Sequence, residues 1–69
     1  MITMKYVISV FYDDAEVEVK TNDVEIAILE MLKADNTGNH AHVVDGFTGE
    51  VLAIVNNPEG ENYSTEEFA

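Results

Sequence analysis

The stretch MKYVISVFYDDAEVEVK, residues 4–20, holds two strand patterns on either side of a short acidic turn. Met4–Tyr12 is rich in β-branched and aromatic residues, and Ala15–Lys20 alternates strictly between apolar and charged. Both patterns predict strands. Asp13-Asp14 stands between them at the length of a two-residue hairpin turn. Pairing Tyr12 with Ala15 gathers Tyr6, Ile8, Val10, Tyr12, Ala15, Val17 and Val19 on one face. A slip of one residue would bury Glu16 and Glu18 instead, so the alternation itself defends the register. The other face then carries Lys5, Val7, Ser9, Phe11, Glu16, Glu18 and Lys20.

Downstream, Asn22 with Glu25 three residues on has the spacing of a capping box and predicts a helix from Asp23 to about Asp35. Asn36-Thr37-Gly38 supplies its stop. At about 100° per residue, Val24, Ala27, Ile28, Met31 and Leu32 share the expected buried side. Ile26 and Leu29 fall off that side. They are expected under the second hairpin or the tail, held by Tyr63 or Phe68, or else in an interface on the helix side.

His40–Asp45 and Glu50–Asn56 predict a second hairpin around Gly46-Phe47-Thr48-Gly49, whose two glycines signal a loop that needs positive φ. Pairing Asp45 with Glu50 sets Val43 opposite Leu52 and Ala41 opposite Ile54 as the core face. It leaves His40, His42, Val44, Val51, Ala53 and Val55 on the other. Two carboxylates would then meet at the loop mouth, which favours a slightly different register or a bound cation. Asn57-Pro58 ends the strand. The expected fold is α+β in the order ββαββ, a four-stranded, mainly antiparallel sheet with one helix on one face. The whole chain, 1–69, reads as one small domain, with the core fold at about 4–56 and an acidic polar tail at 57–69.

The charge balance points to function. Three lysines, no arginine and fourteen acidic residues give a formal net charge of −11 in 69 residues. A small domain is soluble with a net charge of about 2–8 in magnitude, and larger excess destabilises the compact state by self-repulsion. The field suits a basic surface on another protein. Missing arginine argues against direct nucleic-acid binding, since no bidentate phosphate reader is available. No cysteine exists to form a disulfide or thiolate metal site, and the composition carries neither an apolar membrane span nor a leader pattern. The expected setting is the cytoplasm, that of a host cell if the chain is phage-encoded.

Asp13, Asp14, Glu16 and Glu18 cluster at one hairpin end and along one strand face. Carboxylates at i and i+2 on a strand stand about 6.6 Å apart, a spacing able to imitate successive phosphates in a basic groove. Phe11 and Val7 would give this row an apolar anchor. Glu59, Glu61, Glu66 and Glu67 form a second acidic group in the tail. His40 and His42 share a strand face, but no third ligand of zinc type accompanies them, so no metal is expected. Thr48-Gly49 lacks the lysine and following helix of a phosphate loop. Neither catalytic residues nor a cofactor is expected.

In size, acidity and lack of catalytic motifs, the chain resembles as a class the small phage inhibitors of host nucleic-acid enzymes: anti-CRISPR, anti-restriction and uracil-glycosylase-inhibitor proteins. That resemblance implies a non-enzymatic inhibitor, a nucleic-acid mimic that binds a nucleic-acid-handling protein. The alternative is a homodimeric assembly module, with Val44, Val51 and Val55 on an open sheet face as its interface and the charge serving solubility alone.

Overall fold

The computed structural model describes residues 2–68. Five strands and one helix follow in the order β1 (Tyr6–Phe11), β2 (Glu16–Thr21), α1 (Val24–Asn36), β3 (His40–Asp45), β4 (Val51–Val55) and β5 (Tyr63–Ser64). The fold is α+β, with one antiparallel sheet in the order β2-β1-β3-β4-β5. Among the described residues no helix is long and apolar enough to cross a membrane.

The first hairpin has the register that the alternation dictates. Val10 lies opposite Val17, Ile8 opposite Val19 and Phe11 opposite Glu16. The Tyr12 N–H donates to the Ala15 carbonyl at 2.7 Å and closes the two-residue turn. Tyr6, Ile8 and Val10 are buried beneath the helix, with Val19 packed against them. Val17 remains 46 % exposed, because β2 is an edge strand that the helix barely covers.

Asp23, one residue later than expected, caps α1: its carboxylate accepts from the Glu25 N–H at 2.9 Å. The Asn22 carboxamide instead accepts from the Lys5 N–H at 2.8 Å, tying the helix entry to the start of β1. Ala27, Met31 and Ala34 are the buried residues of the helix. Two alanines bring its backbone close to Ile8 and Val43, the largest fully buried side chains. That rotation leaves Leu32 half exposed, and Ile26 and Leu29 are exposed rather than covered by hairpin or tail.

The second hairpin departs from the simple pairing. Val44 lies opposite Val51, but Val43 lies opposite Ala53 and Ala41 opposite Val55. The register shift leaves Leu52 as the extra residue of a bulge, and both Leu52 and Ala53 are buried. Beyond a bulge the two faces of a strand exchange. Val55 therefore packs against the core, which removes it from the open sheet face where it was expected, and Ile54, opposite His42, takes its place there. The loop does use a positive φ, at Gly49 (79°). Gly46 has a different reason: its N–H donates to the Lys5 carbonyl at 2.6 Å, and a Cβ there would meet the Met4 carbonyl oxygen at 1.8 Å.

The segment after Asn57 is more than a polar tail. Tyr63–Ser64 adds a fifth strand beside β4, and the Thr65 N–H donates to the Leu52 carbonyl at 2.9 Å. Phe68 meets Tyr6 edge to face with ring centroids 6.0 Å apart, while the Tyr6 hydroxyl donates to Glu67.

Candidate functional site: the open sheet face and its acidic edge

The helix covers one face of the sheet; the other is open. Cross-strand register arranges its side chains in three rows. Glu16, Phe11 and His40 form the row nearest the first turn. Glu18, Ser9, His42, Ile54 and Tyr63 form the middle row, and Lys20, Val7, Val44 and Val51 the third. Each row thus runs from charge on β2 to aromatic, apolar or imidazole groups on the central strands.

Phe11, His40 and His42 form one cluster. Phe11 stacks on His40 at 4.9 Å between centroids and leans on His42 at 5.4 Å. The two imidazoles are 6.2 Å apart. Burial and the neighbouring His40 lower the pKa of His42, against the opposing pull of Glu16. Among the described residues no group of three or more metal-ligating side chains converges on a point.

The four expected carboxylates all lie at the exposed rim of this face. Asp13 and Asp14 form the turn, and Glu16 and Glu18 project from β2. Lys20 lies 3.5 Å from Glu18 and offsets part of its charge. Phe11 and Val7 are half-buried on the adjoining strand of the same face. Val44 and Val51 are half-buried across the sheet from Val7. The structure thus brings Asp13, Asp14, Glu16, Glu18, Phe11, Val7, Val44 and Val51 to one side of the molecule.

Asp45, expected only as one of two clashing carboxylates, is the most constrained acid in the chain. Its carboxylate accepts from Phe47 N–H at 2.8 Å and Thr48 N–H at 3.1 Å, and the Lys5 ammonium binds it. The lysine first, then the loop N–H of Phe47, hold its pKa at about 2. The same pair raises the pKa of Lys5. So the loop mouth solves its repulsion with a side-chain cation from β1. Lysine five residues into the chain gave no local sign of this, because the pairing is 40 positions apart.

Tyr6 was legible as a core residue, but its hydroxyl partner was not. Its bond to Glu67, then burial, push its pKa up to about 12.

Compared with known proteins, the chain matches no family model, and neither a curated protein nor a solved structure matches it significantly.

Proposed function

We propose that this protein acts by binding rather than catalysis, occupying a basic nucleic-acid-binding surface of another protein in the manner of a phage-type inhibitor. The observation that carries the reading is the exposed row Asp13, Asp14, Glu16 and Glu18, fixed on a tight turn and a strand. Charges held on a rigid element meet a basic groove without first having to be ordered. Lys20 is the cation beside this row, so the field that a partner meets is negative. Phe11 lies opposite Glu16 and Val7 opposite Lys20 on the same face. Together they supply apolar area beside the row, the pairing of charge with a buried anchor that makes interfaces tight.

The test is competition. A protein retained by this chain at low salt should be a nucleic-acid binder, and its cognate nucleic acid should displace it. A target that holds this protein and its nucleic acid together, with unchanged affinities, overturns the reading.

A second reading draws on Val7, Phe11, Val44, Val51 and Ile54, all half-buried on the face without a helix. Apolar area of this kind suits a homodimer. Two copies would each bring a charge of −11, so such a dimer should strengthen as salt rises. A complex with a basic partner should weaken instead.

A further inference from the structure

The acidic strand β2 is also a free sheet edge, and its backbone makes a more specific demand on a partner than its charge does. The Tyr12–Ala15 bond at the turn makes that pair a hydrogen-bonded one. Hydrogen-bonded and non-bonded pairs alternate along an antiparallel ladder, so Val17 and Val19 turn their N–H and C=O groups toward β1. Glu16, Glu18 and Lys20 must then turn theirs outward. No described residue pairs with that outer edge, since β2 ends the sheet and no further backbone bond reaches it. A six-residue edge with unpaired backbone is a template for another strand.

We infer that β2 receives an extended segment of the target protein as a sixth strand. The segment carries lysine or arginine at alternate positions with apolar residues between them. Successive side chains point to opposite faces, so one partner side chain in two meets Glu16 and Glu18. Those between lie beside Val17 and Val19, on the helix side. There Val17 is 46 % exposed because the helix stops short of it, and an added apolar side chain would extend the core layer over it. Charge complementarity selects this occupant over a second copy. Two β2 strands paired about their centre would match Glu16 with Lys20 at either end but set Glu18 against Glu18. Each molecule carries −11, so the net repulsion between copies still favours a basic segment. The inference rests on the proposed function, because it names the chemistry of the basic partner.

The experiment is an NMR titration of the intact protein with three capped synthetic peptides. The first is Glu-Val-Lys-Val-Lys with Thr-Val before it and Val-Thr after it, which in antiparallel pairing sets its two lysines opposite Glu18 and Glu16 and its glutamate opposite Lys20. The second is a scrambled sequence of the same composition. The third is the first peptide N-methylated at alternate residues on the edge that would face β2. The first should slow amide exchange at Glu16, Glu18 and Lys20 by about tenfold at saturation. Val17 and Val19 should change little, being bonded to β1 already. Scrambling or N-methylation should abolish the protection. Glu18→Pro, which removes an outward N–H where an edge strand tolerates proline, should lose it too, whereas Glu18→Gln should keep most of it. Equal, salt-sensitive binding of all three peptides without added protection overturns strand addition and leaves the acidic-surface reading standing. Failure of every peptide to bind even at low salt counts against both. Protection of the same amides without peptide, growing with protein concentration, assigns the edge to a second copy and also overturns the inference.

Discussion

The ring of Phe11 lies over the imidazole of His40, centroids 4.9 Å apart and planes inclined by 20°, with Glu16 opposite Phe11 on the next strand. This arrangement places an aromatic anchor directly beside the acidic edge, on the face without a helix. Because Phe11 is not part of the buried core, Phe11→Asp should leave the protein folded by circular dichroism. Burying one large apolar side chain contributes about 1.5–3 kcal/mol, so any interface centred on it should weaken by roughly one to two decades. Unfolding of the variant would show that the stack holds the sheet together, and unchanged mass and binding would show that the face is idle.

Acid titration should reveal Asp45. Its folded pKa of about 2 lies below the ordinary 3.8, so its contribution is present above pH 3.8 and is lost as pH falls toward 2. Asp45→Asn should flatten this part of the curve, read as the urea midpoint against pH. His42 acts with the same sign in a higher window. Its folded pKa is lowered from 6.5, so stability drains as pH falls below about 6.5, and His42→Gln should remove that step. Each step is read as the difference between variant and parent.

Alkaline titration tests the docked C-terminal segment. The Tyr6 pKa is raised from 10.0 to about 12, so its stabilising effect is complete below pH 10 and disappears as pH rises to 12. Tyr6→Phe should lack that loss. Phe68→Ala should cost about 1–2 kcal/mol by removing a partly buried ring and its edge-to-face partner. A urea midpoint unmoved by Phe68→Ala would mean that the segment after Asn57 adds nothing to stability.

The first hairpin was legible because alternation and a two-residue turn admit only one register that keeps Glu16 and Glu18 out of the core. Val51-Leu52-Ala53-Ile54-Val55 carries no such restraint. Every residue is apolar, so the bulge at Leu52 changes which ones are buried without burying a polar group, and pattern alone misassigned Val55. In the helix, Ala27 and Met31 are buried as expected, but close packing on the sheet chose Ala34 where hydrophobic size favoured Leu32. The acidic edge was legible for the reason the register was. Asp45 with Lys5, and Tyr6 with Glu67, depend on contacts 40 and 61 positions apart and left no local pattern.

Net repulsion should be visible in salt. With −11 charges, raising ionic strength from very low values to about 0.1 M, where the screening length is about 10 Å, should raise the melting temperature. A flat or falling trend would mean that pairs such as Lys5–Asp45 outweigh the repulsion.

The proposal to test is that the β2 edge and its turn occupy a basic nucleic-acid site. Its most direct measurement compares capture by the immobilised protein with capture by the Glu16→Lys, Glu18→Lys double variant. Glu59→Lys, Glu61→Lys serves as a control of equal charge change, at exposed positions outside the sheet. Proteins held by the parent and by the control should be released by added nucleic acid and should not be held by the Glu16, Glu18 variant. Retention in saturating nucleic acid, or equal capture by all three proteins, would contradict it.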